Sequence, residues 1–290
     1  MNRSFLTAKY IMIAKNFSGN VRPAAVAGMF YPGHEKELRN TVQNYLQSAG
    51  EHESELKIAL DEISSMHMLI VPHAGYIYSG KTAALAYQLL QQFKNKIRRV
   101  LLLGPAHRVW LTGAALPEAD TFETPLGQIT LDRELMENML ADYSWITISD
   151  QAHAEEHCLE VQLPFLQESL NDFKIVPLVV GDTDSELLAQ MILKLTEDDQ
   201  TLIVISTDLS HYHDYKTSCE LDLRTAVAIE SLSPELLSTE DACGAYPLRG
   251  ALLAASKSTW QVHRLDLCNS GDTAGDRARV VGYGAWMVIS

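Results

Sequence analysis

Four apolar runs, each about as long as one buried strand, alternate with segments of helical periodicity in this chain. The runs are Met66–Val71, Arg98–Gly104, Lys174–Val180 and Thr201–Ser206. Lys81–Phe93 and Ser185–Leu195 carry the helical pattern. A strand, a helix and a second strand in succession form a parallel pair with a right-handed crossover, and continuous apolar runs are typical of strands covered on both faces. The alternation therefore predicts an α/β fold with a central, mostly parallel or mixed sheet flanked by helices.

Histidines follow three of these runs. His73 comes after the first run, His107 after the second and His211 after the fourth. Because loops at the carboxyl ends of parallel strands line the ligand crevice of an open α/β sheet, we expect the three imidazoles to converge. Asp208 and Glu160 are nearby carboxylates that could join this group. Two histidines and one anionic residue are the ligand set of non-heme iron, and imidazole also suits copper, zinc and nickel. The pattern predicts a metal site, an acid–base site, or both.

Two further motifs keep other chemistries open. His153-Ala-Glu-Glu-His157 matches H-x-x-E-H, the inverted zinc-protease signature, although it lies in a polar connection. Cys243 precedes a glycine and a predicted helix start, where the helix dipole favours a thiolate. That cysteine is a candidate soft metal ligand or the nucleophile of a metal-free hydrolase. The G-x-S-x-G and P-loop motifs do not occur, so serine hydrolase and P-loop chemistry have no support.

Composition excludes several classes of function. With 23 basic and 37 acidic residues the net charge is −14, which repels nucleic acid. No apolar run approaches the roughly 20 residues that span a bilayer, so we expect no membrane role. The four cysteines form no C-x-x-C pair, and we expect a reducing, cytoplasmic location.

The chain is long enough for one large α/β domain, which we place over residues 21–290. Residues 1–20 contain three basic residues, no acid and no cleavage site of the signal-peptide type. We interpret them as a disordered leader, or as the product of an upstream start with Met12 as the true initiator.

Five motifs in a fixed order together resemble the Memo family. They are Val71-Pro-His-Ala-Gly-Tyr-Ile-Tyr-Ser-Gly80, Leu103-Gly-Pro-Ala-His107, Glu156-His-Cys-Leu-Glu-Val-Gln-Leu-Pro164, Ser206-Thr-Asp-Leu-Ser-His211-Tyr212 and Cys243-Gly244. The resemblance covers about residues 21–290. It implies a fold like that of the class III extradiol ring-cleaving dioxygenases, which hold ferrous iron with two histidines and a glutamate.

The resemblance also implies a metal site and a pocket. The implied metal ligands are His73, His107 and Cys243. The implied acid–base residue is His211, with Asp208, His157 and Glu160 lining the same pocket. Cys243 replaces the glutamate of the dioxygenases, and thiolate is softer than carboxylate, so copper and zinc become alternatives to iron(II).

Two functions follow from the resemblance. One is a metal-dependent oxidoreductase of the extradiol dioxygenase type, acting on a small aromatic or enediol-like substrate. The other is a non-catalytic binding or assembly protein that retains the pocket and works with a radical-SAM partner.

Overall fold

A nine-stranded mixed sheet runs through the centre of the protein. A computed structural model describes residues 20–51, 63–258 and 260–290. Its strands, in chain order, are β1 (Val21–Arg22), β2 (Met66–Val71), β3 (Arg99–Pro105), β4 (Ala114–Leu116), β5 (Thr121–Thr124), β6 (Gly127–Thr130), β7 (Ile146–Ile148), β8 (Lys174–Val180), β9 (Thr201–Ser206), β10 (His211–His213), β11 (Gln261–Asn269) and β12 (Val280–Ile289).

Four parallel strands form the middle of this sheet. The order is β10-β12-β2-β9-β3-β8-β4-β7, and β11 pairs with β12. Met68, Ile203, Leu101 and Val176 lie side by side across β2, β9, β3 and β8, and all four are fully buried. Strands β12 and β4 add to the two sides of this block in the antiparallel direction. The predicted α/β fold with a mixed central sheet is confirmed.

The position of β9 differs from the prediction. The strand–helix–strand unit predicts β2 and β3 as a hydrogen-bonded pair, yet β9 lies between them and pairs with both in parallel. The long-range pairing of β9 therefore separates two strands that are neighbours in sequence. Three adjacent strands now end in the histidine-bearing segments, with the His211 segment following the central one.

The helices cover the sheet and place its loops. In chain order they are α1 (Glu35–Glu51), α2 (Tyr76–Leu90), α3 (Arg133–Asp142), α4 (Asp150–Ala154), α5 (His157–Glu160), α6 (Leu163–Ser169), α7 (Ser185–Leu195), α8 (Tyr215–Glu230) and α9 (Ala245–Ser256). Helix α2 packs on β2, β11 and β12, whereas α9 packs on β3 and β9 and against α7.

Helix α2 begins five residues earlier than the periodicity predicts. The prediction starts this helix at Lys81, but it starts at Tyr76. The Tyr76 N–H donates to the Phe30 carbonyl (2.7 Å) and its hydroxyl donates to the Val161 carbonyl (2.7 Å). These tertiary bonds fix the first turn, and Tyr76 is buried in the core rather than in a loop beside His73.

A second, smaller sheet joins β1 in parallel to β5, which forms a hairpin with β6. It places the segment after β1 over α5. The predicted leader falls outside the described residues, Asn20 excepted. Across the described ranges no helix is long and apolar enough to cross a membrane.

Candidate metal centre

Three side chains of metal-ligating type meet at the carboxyl ends of the central strands. His73 follows β2, His107 follows β3, and Cys243 precedes α9. One donor atom from each lies within 4.8 Å of the others. The Cys243 Sγ is 3.3 Å from the His73 Nε2, and the rings of His73 and His107 have centroids 5.2 Å apart. The three residues are thus brought together from distant parts of the chain.

His73 is a buried, neutral imidazole. The backbone N–H of His73 donates to the Asp208 Oδ1 (2.7 Å), and the ring Nδ1 is 3.0 Å from the Ser206 Oγ. Burial lowers the pKa of His73 to about 3, and the neighbouring His107 adds to the effect. Metals bind the neutral form of histidine, so the ring is in the required state at neutral pH.

His107 lies on the solvent side of the group and is held by Glu156. The backbone N–H of His107 donates to the Glu156 Oε2 (2.8 Å), and the ring Nδ1 is 2.9 Å from the Glu156 Oε1. Burial on its own raises the pKa of Glu156, but hydrogen bonds from the side chain and backbone of His107 outweigh it and lower that pKa to about 2. The buried side chain is therefore a carboxylate.

Gly104 lets α5 approach β3 closely enough for this contact. A Cβ at Gly104 would lie 2.5 Å from the Cys158 Sγ and 2.8 Å from the Leu159 Cδ2, which is closer than such atoms can pack. The glycine of Leu103-Gly-Pro-Ala-His107 therefore seats α5, and with it Glu156, against the end of β3.

Cys243 is fixed on the end of β9. Its N–H donates to the Asp208 carbonyl (3.2 Å), and its Sγ accepts from the Asp208 N–H (3.3 Å). Burial, followed by the Asp208 charge, raises the pKa of Cys243 to about 12. A thiol in this state is a poor nucleophile, which disfavours the metal-free hydrolase. A metal cation in contact with the sulfur would produce the thiolate.

Asp208 and His211 lie beside these donors. Burial raises the pKa of Asp208, and the carboxylate oxygen Oδ2 is 3.9 Å from the His73 Nε2. The His211 Nδ1 is 2.7 Å from the Leu209 carbonyl oxygen. A carbonyl can only accept, so Nδ1 carries a proton, and in the neutral ring the lone pair is on Nε2. His211 is close enough for its charge to lower the pKa of His73.

His157 packs inside the same group. Its ring stacks on His107 at 4.9 Å and meets His73 edge-on at 5.4 Å. Burial lowers the pKa of His157 to about 4, with His73 contributing next. One donor each from His107, Glu156 and His157 also falls within 4.8 Å, so these three form a second group of metal-ligating type.

Glu160 lies elsewhere, in a fully buried ion pair with Arg22. Its carboxylate also accepts the hydroxyl of Tyr31 (2.5 Å) and the N–H groups of Ala25 (2.8 Å) and Val26 (3.0 Å). All of these partners belong to the segment after β1. This placement contradicts the expectation that Glu160 lines the pocket, and Glu156, four residues earlier, is the carboxylate that meets the histidines.

The H-x-x-E-H match does not form a protease site. Helix α4 ends at Ala154, Glu156 is extended, and α5 begins at His157, so the two histidines share no helix face. The His153 Nε2–H donates to the Ala115 carbonyl (2.9 Å), and the ring lies against Phe122. The zinc-protease interpretation is therefore wrong for this pair.

A cavity of about 170 Å³ opens beside Cys243. Trp110, Val109 and Tyr246 line it, and Trp110 is exposed. A larger cavity of about 500 Å³ lies along α8, away from the histidines. The smaller one is the relevant space, because it alone of these two reaches a metal-ligating side chain.

A family model described as "Memo-like protein" matches residues 22–287. The chain belongs to the Memo family. A "MEMO1 family protein" of Aquifex aeolicus is 36% identical over 282 residues, which cover 91% of this chain and 97% of the relative. Another from Sulfurisphaera tokodaii is 33% identical over 277 residues, covering 91% and 97%. This membership confirms the resemblance that the five motifs predict.

One solved structure is similar to this Memo family chain in fold. It is an uncharacterized protein from Escherichia coli K12, with a TM-score of 0.53 and 13% sequence identity. The match covers 77% of this chain and 99% of that one. At this identity the likeness concerns the fold alone.

Proposed function

We propose that this protein binds one transition-metal ion through His73, His107 and Cys243 and uses it as an oxidoreductase of the dioxygenase type. The substrate would be a small aromatic or enediol-like compound. The observation that carries the proposal is the convergence of three metal-ligating donors within 4.8 Å, where parallel strands end and a cavity opens. No carboxylate substitutes for the thiol in this group.

The donors fit a metal of intermediate softness. Two neutral imidazoles suit iron(II), copper and zinc, and a thiolate shifts the preference toward soft or electron-rich ions. The 3.3 Å between the Cys243 Sγ and the His73 Nε2 is a normal spacing for two ligands with bond lengths of about 2.0–2.3 Å. We infer iron(II) as the first candidate, with copper and zinc as alternatives.

The protein's own groups supply positioning and proton transfer. A bound metal would supply Lewis acidity and, if redox-active, electron transfer. His211 would take a proton from a substrate hydroxyl at Nε2, while the Leu209 carbonyl holds the ring through Nδ1–H. Asp208 fixes His73 through its side chain and Cys243 through its backbone, so both donors stay aligned.

Metal analysis of anaerobically purified protein tests the site. We expect about one equivalent of metal in the wild type and its loss in His73→Ala, His107→Ala and Cys243→Ala. Cys219→Ala is the matched control, because Cys219 is an exposed free cysteine outside the group. Unchanged metal content in all three site variants would refute the proposed metal site.

Oxygen uptake tests the activity. With iron bound, a panel of catechols and enediols should stimulate oxygen consumption in the wild type, and His211→Ala should abolish it without loss of metal. Loss of uptake together with metal would instead assign His211 to metal binding.

The second candidate is a binding or assembly role for the same site. Cys243 in place of the dioxygenase glutamate favours it, because a soft thiolate departs from the two-histidine, one-carboxylate ligand set of non-heme iron oxygenases. The partner would be a radical-SAM protein. Iron-loaded protein without oxygen uptake, and co-purification with that partner that requires Cys243, would favour this role.

A further inference from the structure

Both candidate histidine ligands contact a buried group through the ring nitrogen that faces away from the metal position. The His73 Nδ1 meets the Ser206 Oγ at 3.0 Å, and the His107 Nδ1 meets the Glu156 Oε1 at 2.9 Å. Neither Ser206 nor Glu156 belongs to the His73, His107 and Cys243 group. The other hydrogen bonds made by Ser206 and Glu156 determine which ring nitrogen of each histidine carries the proton.

Ser206 has a single hydroxyl proton, and another group already accepts it. The Ser206 Oγ lies 2.6 Å from the Cys158 carbonyl oxygen, which can only accept. The Gln162 Nε2, which also donates to the Pro72 carbonyl (2.8 Å), donates to the same Oγ (2.9 Å). The remaining bond must therefore run from the His73 Nδ1–H to Ser206. His73 keeps its Nε2 lone pair, and this is the atom 3.3 Å from the Cys243 Sγ.

Glu156 gives the same result for His107. Its Oε2 accepts the His107 backbone N–H, and its Oε1 accepts the Cys158 N–H (3.1 Å). Both oxygens are thus acceptors, so the bond to the ring also comes from Nδ1–H. In its neutral form, His107 therefore holds the lone pair on Nε2, the nitrogen that faces away from Glu156.

We propose that Ser206 and Glu156 are positioning residues that fix both ligand histidines as Nδ1–H tautomers before any metal binds. The inference rests on the proposed function, since it assigns these residues to the same site. A preset tautomer and ring orientation remove a reorganisation step from metal binding, and a hydrogen-bonded carboxylate makes the imidazole a stronger donor. Outer partners of this kind contribute about 10–100-fold in metal affinity.

His157 provides the contrast within the cluster. Its Nδ1 is 3.4 Å from the Glu156 Oε1 and, among the described residues, has no hydrogen-bond partner. Glu156 therefore fixes the ring of His107 and leaves that of His157 without a preset proton position.

Long-range 15N–1H NMR of the metal-free wild type tests the tautomers and needs no variant. We expect pyridine-type Nε2 and protonated Nδ1 resonances for His73 and His107 at a pH where both rings are neutral. A protonated Nε2 on either neutral ring would overturn the inference.

Metal affinity tests the consequence. Chelator-competition titration should show Kd values about 10–100-fold weaker in Ser206→Ala and Glu156→Ala, with one equivalent still bound at saturation. The neighbouring, exposed Glu155→Ala is the matched control and should bind like the wild type.

The two variants should also differ in which histidine they affect. Only His73 should lose its fixed tautomer in Ser206→Ala, and only His107 should lose it in Glu156→Ala. A general loss of folding would not produce this difference. Unchanged Kd values in both variants would overturn the positioning role alone, whereas a wild type that binds no metal would overturn the proposed function.

Discussion

At the level of single residues, the buried pair of Arg22 and Glu160 anchors the segment after β1 to α5. Glu160 is fully buried and Arg22 is 6% exposed, so neither charge has water to replace its partner. Arg22 also donates to the carbonyls of His153 (3.1 Å) and Glu156 (2.8 Å), which places this pair directly behind the metal centre.

Removing the Glu160 charge should therefore destabilise the fold without changing metal stoichiometry. We expect Glu160→Gln to lower the free energy of unfolding by about 3–5 kcal/mol, because it leaves Arg22 buried and unpaired. Urea denaturation measures this change. Glu186→Gln, which removes an exposed ion pair with Lys257, is the control and should leave stability unchanged. If Glu160→Gln folds with full stability but loses metal, Glu160 acts in the pocket after all.

His153 should make the protein sensitive to acid. Burial lowers the pKa of His153 to about 4, from about 6.5 in the unfolded chain. Between these two pH values the unfolded state binds more protons than the folded state. The stability contributed by the neutral His153 ring is therefore complete above pH 6.5 and is lost as the pH falls through about 4. The loss is about 3 kcal/mol. His153→Gln should flatten the stability curve between pH 7 and 4 by that amount in urea titrations.

The strand-end histidines and Asp208 could be predicted from sequence, but the choice between Glu156 and Glu160 could not. Strand ends are visible as the points where apolar runs stop, so His73, His107 and His211 follow from local pattern. Glu156 and Glu160 are four residues apart in one polar segment, and periodicity treats them alike. Only the break between α4 and α5 and the approach of Arg22 decide which one faces the histidines. Glu156 sits directly before His157, and this adjacency was the one available signal.

At the level of elements, the junction between β9 and α9 holds Cys243. The Gly244 N–H donates to the Thr207 Oγ1 (2.9 Å), so the helix start lies directly on the strand end. A Cβ at Gly244 would lie 2.7 Å from the Thr207 Cβ and 2.9 Å from the Ser206 carbonyl oxygen. Neither of these neighbours is the far end of a flexible side chain.

Gly244→Ala should consequently separate α9 from β9 and displace Cys243 from His73. Overpacking of this kind costs about 1–3 kcal/mol of stability, and we expect metal affinity to fall at least about tenfold because ligand geometry is lost. Gly50→Ala is the matched control. Its Cβ would meet only the tip of the Gln88 side chain at 3.2 Å, and alanine favours the helix. Equal metal affinity in the two variants, measured by chelator competition, would show that this junction does not position Cys243.

Long elements could be predicted from the sequence, whereas the shortest strands could not. The bounds of β2, β8, β9 and α7 agree with the apolar pattern, because the three strands are long and almost fully buried and α7 is long enough to show a helical period. Strands such as β1 and β7 have two or three residues, and tertiary pairing alone makes them strands. The place of β9 between β2 and β3 is likewise a property of sheet assembly, which no local pattern contains.

At the level of the whole molecule, a bound metal would connect segments that the chain keeps far apart. Cys243 and His73 are 170 residues apart, and the unfolded chain would not hold them together. Binding to the folded state alone stabilises it by about 2.7 kcal/mol at a free metal concentration one hundred times the Kd. For a protein of this size we expect Tm to rise by roughly 5 °C.

Differential scanning calorimetry with iron(II) under anaerobic conditions, or with zinc, should show this rise, and a chelator should reverse it. With a net charge of −14 the surface also attracts cations without specific coordination, so an equal concentration of Mg²⁺ measures that background. Cys219→Ala should keep the full rise, whereas Cys243→Ala should show only the Mg²⁺ background. A full rise in Cys243→Ala would mean that the ions stabilise the protein through its acidic surface, because the three-residue site would then contribute nothing to the linkage.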